Sequence, residues 1–324
     1  MSQLLSYCYT DINFPNLGLY FKNVRDGFTV FGFKIALYGI FVAMGMVFGY
    51  LLTEYVAKKT GQNSENYLDF VIIAIILGVA CARLYYVAFN WEAFADHPLS
   101  IFNLRTGGLA IYGGAIAGIL TALIFARVKK LNSAQFLDTA IVGLALGQII
   151  GRFGNFVNRE AFGTYTNGLF AMQVDVRDAA SYFNPATSLT YVQNLFAGKP
   201  EALANVMKIR DNAIVTETAT YIQVHPTFLY EALWNLMLLI LMLVLTKYKR
   251  FHGQISLVYL MGYGLGRFWI EGLRTDQLFL WKTGIPVSQI VSLTFVAIGV
   301  ITYTLVMVRL KRKKSENKGD VEIK

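Results

Sequence analysis

Three arginines lie at the ends of long apolar runs in this 324-residue chain: Arg83, Arg152 and Arg267. A guanidinium in the hydrocarbon of a bilayer costs about 3 kcal/mol even on the mildest insertion scale. It cannot escape that cost by losing its proton, because its pKa is too high. Several such charges at one depth of a membrane therefore indicate a site that holds an anion.

The composition is that of a membrane protein with most of its mass in the bilayer. Hydrophobic residues make up 55% of the chain and charged residues 15%, and the mean hydropathy is +0.47. These values exclude an ordinary soluble domain. We attribute the net charge of +9 to basic residues that orient the chain in the membrane and contact anionic lipid headgroups. We expect no nucleic-acid partner.

The two cysteines predict neither a disulfide nor a metal site. Cys8 lies in the polar N-terminal segment and Cys81 inside an apolar run, and the spacing of Cys and His matches no metal motif. We therefore expect no metal and no cofactor. Residues 1–30 lack a basic start followed by an apolar core, so no cleavable signal peptide is expected either.

Seven apolar runs, each long enough to cross a bilayer, predict an all-α polytopic membrane protein with seven transmembrane helices. The runs cover residues 31–53, 68–89, 107–126, 136–157, 227–245, 254–272 and 287–308. Lys and Arg are several-fold denser in the segments around 58–59, 127–130, 247–250 and 309–324 than in the other connections. The denser side is expected to be cytoplasmic, which places the N-terminus outside and the C-terminus inside.

One connecting segment, residues 158–226, is large enough to form a small extracytoplasmic domain between helices 4 and 5. Its patches Phe170–Val176 and Thr216–Val224 favour strands. We therefore divide the chain into a membrane domain, residues 1–310, which includes this insertion, and a basic cytoplasmic tail, residues 311–324. The basic run of the tail is typical of a headgroup anchor after a span.

Glycines recur in the apolar runs at spacings that suit close helix packing. They include the pairs Gly45/Gly49 and Gly114/Gly118, the series Gly143/Gly147/Gly151, and Gly262, Gly264 and Gly266. A phosphate-binding loop is the weaker alternative, because the last group lies in a span with no strand before it.

The sixth apolar run carries polar residues on a single stripe. Tyr263, Arg267, Glu271 and Arg274 are spaced 4, 4 and 3 apart, so they fall on one helical face. Arg267 and Glu271 can pair across one turn. The alternative is a buried ion pair that only joins helices, but such pairs are often no better than apolar packing. We therefore favour a functional role for the stripe.

The predicted orientation places the polar residues of several spans in the outer half of the membrane, as a polar cavity would require. They are Tyr38, Arg83, Tyr112, Arg152, Asn155, Asn158, Arg267 and Glu271. The forked donors of Arg152 suit a phosphate, and Asn155 lies one turn further along the same face. His225, just before the fifth run, is better explained as a hydrogen-bonded structural residue.

The segment Gly151-Arg-Phe-Gly-Asn-Phe-Val-Asn-Arg-Glu-Ala-Phe-Gly163 resembles the signature of the prolipoprotein diacylglyceryl transferase family. Three further blocks support this resemblance, at residues 107–114, 225–231 and 263–274. Together the blocks extend from residue 38 to about residue 290. A match of this length is highly specific.

The resemblance implies that phosphatidylglycerol gives its diacylglyceryl group to the lipobox cysteine of a prolipoprotein signal peptide, as the first step of bacterial lipoprotein maturation. A thioether forms and glycerol 1-phosphate leaves. The expected location is the bacterial cell membrane, among membrane lipids. Arg152 and Arg267 would hold the charge of the leaving phosphate, Asn155 would fix the headgroup, and Glu271 would orient Arg267. The resemblance places further substrate-binding residues at Tyr38, Arg83, Gly113, Gly114, Asn158, Glu160, Gly163, His225 and Tyr263.

One position departs from the family. Many members have His where this chain has Tyr112, and that His is commonly given the role of base toward the thiol. A phenol, with an ordinary pKa near 10, is a poor base. Either an arginine lowers the pKa of Tyr112, or another group takes the proton, or positioning alone suffices. Our hypothesis is that Tyr112 positions the substrate by a hydrogen bond.

A transporter and a purely structural membrane protein are the two alternatives to the transferase. An anion or lipid transporter would also use buried arginines, but the predicted polar stripe occupies one half of the membrane and matching broken helices are absent from the sequence. A purely structural membrane protein leaves the matched blocks unexplained. The transferase is therefore the favoured hypothesis.

Overall fold

The computed structural model describes residues 10–104, 107–280 and 285–322, with side chains up to residue 313. Cys8 lies outside these limits, as do the side chains of the basic tail beyond Lys313. The described part is mostly helical. Its α-helices are α1 (Leu37–Lys59), α2 (Glu65–Phe89), α3 (Glu92–Ala95), α4 (Ile111–Val128), α5 (Ser133–Asn158), α6 (Leu189–Leu195), α7 (Pro200–Asp211), α8 (Thr227–Tyr248), α9 (Gln254–Glu271) and α10 (Val287–Glu322).

Within the described ranges, six helices are long and apolar enough to cross a membrane: α1, α2, α4, α5, α8 and the part of α10 up to Lys313. The polytopic fold is therefore confirmed. The sixth predicted span forms a helix, α9, within one residue of the expected bounds. It does not reach the apolar composition of a span because Gln254, Arg267 and Glu271 lie on it. The prediction of seven spans thus stays a prediction.

The described residues also contain seven strands, more than the strands expected in residues 158–226. They are β1 (Thr10–Phe14), β2 (Leu19–Val24), β3 (Gly27–Val30), β4 (Phe33–Ala36), β5 (Met172–Asp175), β6 (Ile214–Val215) and β7 (Thr220–Val224). The first helix begins at Leu37 and not at residue 31, because the apolar residues before it form the β3–β4 hairpin. Apolar residues in a strand and in a helix of a membrane protein are alike in composition, so hydropathy alone does not separate them.

The chain divides into two compact units. The first comprises residues 1–47, 145–247 and 257–324, and the second comprises residues 48–144 and 248–256.

The first unit contains an antiparallel sheet in the order β2-β1-β5-β7-β6. The strands predicted at Phe170–Val176 and Thr216–Val224 are present as β5 and β7, and β6, just before the second patch, was not predicted. Two further strands come from the N-terminal segment, with Ile12 of β1 opposite Val174 of β5. Alternate residues of β1 are buried, as a strand with one face on a core requires.

The core of this sheet is formed by its inward-facing residues together with α6 and α7. The fully buried side chains include Ile12, Val174, Val192, Ile209 and Ile222. Arg210 of α7 is also buried, and it donates hydrogen bonds to the carbonyls of Tyr182, Pro185 and Thr187 at 2.7–3.2 Å. These bonds satisfy backbone groups that would otherwise be buried without partners.

In the second unit, α2 packs along α4, and an aromatic cluster joins α2 to α5. The ring of Tyr67 stacks on that of Phe136 with centroids 4.8 Å apart. The carboxylate of Asp138, which is buried, accepts hydrogen bonds from the backbone N–H groups of Gly253 (2.8 Å) and Ser256 (2.9 Å). These bonds satisfy the free N–H groups at the start of α9.

Close helix packing at glycines is confirmed at several of the predicted positions. In the first unit a Cβ on Gly45 would lie 2.9 Å from the carbonyl oxygen of Gly147, and in the second a Cβ on Gly49 would lie 2.6 Å from that of Gly143. Gly118 and Gly151 were wrongly included, since a Cβ on either would meet nothing within 4 Å.

Candidate functional site

Glu231 of α8 is the centre of an ion cluster in the first unit. Its side chain is 4% exposed, and its carboxylate contacts three guanidinium groups. Arg152 Nη2 binds Oε2, while Arg267 Nη1 binds Oε1 at 2.8 Å and Arg274 Nη1 lies 3.5 Å from Oε1. One buried carboxylate therefore holds Arg152 of α5 and Arg267 of α9, one on each oxygen.

A second carboxylate fixes Arg267 from its own helix. Glu271 Oε2 lies 2.5 Å from Arg267 Nη2, so the pair predicted across one turn is present. Ser288, at the start of α10, donates its hydroxyl to Glu271 Oε1 at 2.9 Å. Arg267 is thus held between two carboxylates, and its guanidinium has little freedom to turn.

Arg274, three residues beyond Glu271, joins the cluster from the loop that follows α9. It makes a two-pronged contact with Asp276, at 2.8 Å from Nε and 2.6 Å from Nη2. Burial opposes its charged form, but the hydrogen bonds and charge of Asp276, with the charges of Glu231 and Glu271, raise the pKa of Arg274 above its ordinary value. The three arginines are matched by these three carboxylates.

Arg152 is linked to the polar end of α5. Its Nη1 lies 3.5 Å from Asn155 Oδ1, at the limit of a hydrogen bond. Asn155 and Asn158 both donate to Glu160 Oε1, at 3.0 and 3.3 Å. The polar residues at the end of α5 and in the turn after it therefore form a connected hydrogen-bond network that begins at Arg152.

The turn after α5 has unusual backbone geometry. Arg159 and Ala161 adopt positive φ, +53° and +56°, which is rare for residues with a side chain. Arg159 is buried, ion-pairs with Asp178 at 3.0 Å and donates to the carbonyl of Val24. These contacts with the sheet hold the turn in a conformation that returns Glu160 to the end of α5.

Gly163 lies where three segments cross. Its N–H donates to the carbonyl of His225 (2.9 Å), and the next N–H, of Thr164, donates to the carbonyl of Leu273 (2.7 Å). A Cβ at residue 163 would lie 2.8 Å from both His225 Cβ and the Leu273 carbonyl oxygen. The turn, the start of α8 and the loop carrying Arg274 can meet only if residue 163 has no side chain.

Gly163→Ala should therefore destabilise the protein by about 1–3 kcal/mol, because the added methyl forces backbone segments apart. Loss of activity should follow, since Arg274 and the turn carrying Glu160 would shift. The measurement is thermal unfolding in detergent with activity beside it. Gly118→Ala is the matched control, as its Cβ meets nothing and an alanine in a helix should stabilise by about 0.5–1 kcal/mol. Equal stability of the two variants would contradict the packing argument.

Two tyrosines predicted as site residues, Tyr38 and Tyr263, lie beside or on the helices that carry the ion cluster around Glu231. The ring of Tyr38, in the first turn of α1, lies against Gly154, where a Cβ would come within 2.6 Å of it. Tyr263 stacks on Tyr259 with centroids 5.3 Å apart, and Tyr259 donates its hydroxyl to Gln148 Oε1 at 2.9 Å. Both tyrosines thus contact residues of α5 or α9 close to the arginines.

His225 is half-buried before α8, and its Nδ1 lies 3.1 Å from the hydroxyl of Tyr230. This contact agrees with the structural alternative for His225. Burial, and next the charge of Lys208, lower the pKa of His225 below 6.5. The folded protein therefore favours the neutral ring more than the unfolded chain does.

It follows that the His225 contribution to stability is complete above about pH 6.5 and decreases as the pH falls toward the lowered pKa. His225→Gln should flatten the loss of stability as the pH falls below about 6.5. Unfolding temperatures measured across this range check the effect. The control is His252→Gln at an exposed loop position. An unchanged slope in His225→Gln would contradict the assignment.

The remaining predicted residues belong to the second unit. Arg83 is buried, and its five N–H groups all donate to carbonyls of one loop, at 2.7–3.0 Å: those of Ser100, Ile101, Asn103, Gly107 and Gly108. Its guanidinium has no donor left for a ligand in this conformation. In this conformation Arg83 holds the loop before α4, and its role in substrate binding stays a prediction.

Tyr112 is partly exposed in the first turn of α4. Gly113 packs tightly beside it, since a Cβ there would lie 2.6 Å from the Cys81 carbonyl oxygen of α2. Gly114 is looser, with its nearest neighbour at 3.5 Å. In this unit Gly113 therefore allows the first turn of α4 to approach α2.

Sequence reasoning missed Glu231 as the centre of the site. The sequence does point to Glu231, because it is an acidic residue in an apolar run, and an ionisable residue at such a depth needs a partner. Its own helix offers no basic residue one turn away. Arg274 was placed on the predicted stripe but not among the site residues, and its partner Asp276 was not considered.

The arrangement can bind an oxyanion. Arg152 and Arg267 keep 21% and 19% of their side-chain surface exposed, while Glu231 and Glu271 take up only part of their donors. The charges of the cluster are balanced, so net charge alone would not attract an anion strongly. An anion would be bound chiefly by directed hydrogen bonds from the exposed edges of the Arg152 and Arg267 guanidinium groups. Guanidiniums held in place by buried carboxylates provide such donors without reorganisation.

Comparison with known proteins gives consistent matches along the chain. A family model described as prolipoprotein diacylglyceryl transferase matches residues 26–305. A phosphatidylglycerol–prolipoprotein diacylglyceryl transferase of Clostridioides difficile (strain 630) is 38% identical over 293 residues, which is 90% of this chain and 98% of that protein.

Proteins of the same name from two further bacteria agree. The one from Finegoldia magna is 35% identical over 297 residues, covering 91% of this chain and 98% of its own length. The one from Synechocystis sp. is 36% identical over 278 residues, covering 84% and 85%. The chain therefore belongs to the prolipoprotein diacylglyceryl transferase family, and it is a multi-pass membrane transferase.

Proposed function

We propose that this protein transfers the diacylglyceryl group of phosphatidylglycerol to the thiol of the lipobox cysteine in prolipoproteins. The sulfur attacks the glycerol carbon that carries the phosphate, a C–S bond forms, and the C–O bond to the phosphate breaks. The electron pair stays on the phosphate oxygen, and glycerol 1-phosphate leaves. The observation that carries the proposal is the pair of arginines on the two oxygens of Glu231, in a chain of this family.

Charge gathers on the phosphate as the C–O bond breaks. Arg152 and Arg267 are proposed to bind the phosphate oxygens, so that their hydrogen bonds strengthen as this charge develops. Glu231 and Glu271 are positioning residues, because they act through the arginines. Asn155 is proposed to bind the headgroup, and Asn158 and Glu160 to orient Asn155.

The attacking sulfur must be a thiolate, whose ordinary pKa near 8.5 leaves it mostly protonated at neutral pH. Guanidinium groups near the thiol would favour ionisation. We propose that Tyr112 positions the substrate and does not take the proton. Tyr38, Tyr263, Gly163 and His225 shape the site around the arginines in this proposal.

Tyr112→Phe should lower kcat/KM by about five- to tenfold, the worth of one hydrogen bond of about 1 kcal/mol, and by the same factor at every pH. The measurement is the pH profile of the variant. Tyr191→Phe, at an exposed position on α6, serves as control. A large loss that is rescued at high pH would contradict the positioning role and indicate that Tyr112 acts as a base.

The direct test uses the full chain reconstituted in vesicles of phosphatidylglycerol and phosphatidylcholine, with a synthetic lipobox peptide. Mass spectrometry should detect a diacylglyceryl thioether on the peptide cysteine and an equal amount of glycerol 1-phosphate. Movement of anions or lipid across the vesicle membrane without a peptide adduct would favour the transporter and contradict the proposal.

We further propose that α9 is a seventh span, so that the N-terminus lies outside the bacterial cell membrane and the C-terminal tail inside. The arginine–carboxylate pairs of α9 support this, because paired charges cost much less in a bilayer than isolated ones. Labelling of engineered cysteines with a membrane-impermeant reagent in whole cells tests the orientation. A label at residue 215 with none at residue 318 is expected, and the reverse pattern would contradict it.

The extracytoplasmic domain of residues 158–226, here termed the head, is proposed to contact the prolipoprotein, given its predicted place outside the membrane. A protein lacking part of residues 165–220 should lose activity on a full precursor. Full activity of this shortened protein on the precursor, with unchanged folding in detergent, would argue against the contact.

A further inference from the structure

The β3–β4 hairpin of the first unit has one apolar face. Its register pairs Phe28 with Ile35 and Val30 with Phe33. Because side chains alternate between the two faces of a strand, these four residues share one face, here termed the hairpin face. The other face carries Thr29 opposite Lys34.

The hairpin face is exposed in the folded chain. Its four side chains keep 37–59% of their surface, and Phe31 at the tip keeps 97%. The hairpin forms a separate two-stranded sheet. Two strands alone are marginally stable in water, and an apolar patch of this kind marks an interaction surface.

An ion pair and a backbone hydrogen bond to Asp26 hold the polar side and the base of the hairpin in place. Lys34 Nζ lies 2.8 Å from Asp26 Oδ2, just before β3. The backbone N–H of Leu37 donates to the carbonyl of Asp26 at 2.8 Å and closes the base of the hairpin. The hairpin is therefore an amphipathic ribbon whose orientation is set by its attachment.

The tip is not explained by turn chemistry. Phe31 and Gly32 have φ of +49° and +82°. A two-residue hairpin loop with both residues at positive φ favours Asn-Gly or Gly-Gly, and a bulky aromatic in this conformation is strained. A strained and almost fully exposed Phe at such a position indicates that the side chain has a use outside the turn.

The attachment indicates what covers the hairpin face. β4 ends at Ala36, and α1, a candidate membrane span, begins at Leu37. A helix of 23 residues is about 35 Å long, slightly more than the hydrocarbon core of about 30 Å, so its first turn should lie at the membrane boundary. The hairpin must then lie at the same interface, where aromatic side chains are favoured.

We propose that the hairpin face and Phe31 insert into the interfacial region of the lipid bilayer. The ligand is the glycerol and upper acyl-chain layer of phospholipids, and Lys34 lies toward their phosphates. The hairpin would thereby fix the depth of the start of α1, where Tyr38 packs on Gly154 beside Arg152.

The test labels the hairpin in the full-length protein with Cys8→Ser and Cys81→Ser. Phe33→Cys on the hairpin face and Thr29→Cys on the other face each receive an environment-sensitive fluorophore, in vesicles of phosphatidylglycerol and phosphatidylcholine. We expect lipids with a nitroxide high on the acyl chain to quench the residue-33 label several-fold more than the residue-29 label, and iodide to quench in the opposite order. Equal quenching by iodide at both positions would overturn the proposal.

A second variant separates lipid contact from turn formation. Phe31→Asn creates the Asn-Gly pair that this turn prefers, so the protein should be as stable in detergent as the parent. In vesicles its residue-33 label should shift to longer emission wavelengths and lose nitroxide quenching. An unchanged label depth in Phe31→Asn would overturn the role of Phe31. Cross-linking of the unlabelled Phe33→Cys variant to a second copy in vesicles would overturn the lipid assignment, because a protein partner would then cover the face.

Discussion

Glu231→Gln should lower kcat/KM by about 10²- to 10³-fold, as expected when preorganised donors to a developing oxyanion are lost. The amide keeps the volume of the carboxylate but carries no charge, and its NH₂ group would face a guanidinium. Arg152 and Arg267 would then lie close together without the anion that holds them. Breaking a buried ion pair from one side also destabilises by about 3–5 kcal/mol.

The control for this variant is Glu54→Gln, which removes a partly exposed carboxylate paired with the exposed Lys58 at 2.5 Å. An exposed pair is worth at most about 1 kcal/mol, so its activity and stability should change little. Because Glu231 acts through the arginines, both the apparent KM for phosphatidylglycerol and kcat should change. If Glu231→Gln folds normally and keeps its activity, the two arginines do not depend on this carboxylate and the site as described is wrong.

Arg267→Lys should also lower kcat/KM by about 10²- to 10³-fold, although the charge is kept. The guanidinium reaches Glu231 and Glu271 at the same time, at 2.8 and 2.5 Å, and an exposed edge remains for the phosphate. A lysine ammonium is a point charge and cannot hold two carboxylates and an oxyanion in one plane. Arg152→Lys should have a similar effect, since it contacts Glu231 and Asn155 by two different nitrogens.

Arg177→Lys is the matched control, because Arg177 has a largely exposed side chain that pairs with Asp175 in the head. Its activity should stay within about twofold of the parent, because the pair that Arg177 forms with Asp175 is not part of the arginine cluster around Glu231 and the lysine keeps the charge. The measurement is the rate of peptide modification in vesicles over a range of phosphatidylglycerol contents. Retained activity in both Arg152→Lys and Arg267→Lys would mean that only net charge matters, which contradicts binding through directed hydrogen bonds.

Much of the helical architecture could be predicted because apolar runs and glycine spacing are local features. The bounds of α9 differ from the prediction by one residue, and the pair Arg267–Glu271 follows from their spacing on one helix. The strands β5 and β7 were predicted from their β-branched and aromatic residues. In each of these cases the residues that decide the structure are neighbours in the sequence.

The features that were missed depend on residues far apart in the chain. The pairing of β1 with β5 joins segments about 160 residues apart, which no local pattern specifies. The use of Glu231 by Arg152 and Arg267 likewise requires α5, α8 and α9 to meet. The contacts of Arg83 were also missed, since a buried arginine can be satisfied by loop carbonyls as well as by a ligand.

The central claim is that Arg152 and Arg267, held by Glu231, bind the phosphate of phosphatidylglycerol. The most direct measurement is a structure of the protein in lipid nanodiscs with phosphatidylglycerol bound. Phosphate oxygens about 3 Å from the guanidinium nitrogens of both arginines are expected, the distance of a charge-assisted hydrogen bond. A lipid phosphate held by other cations, with Arg152 and Arg267 contacting only carboxylates, would contradict the account.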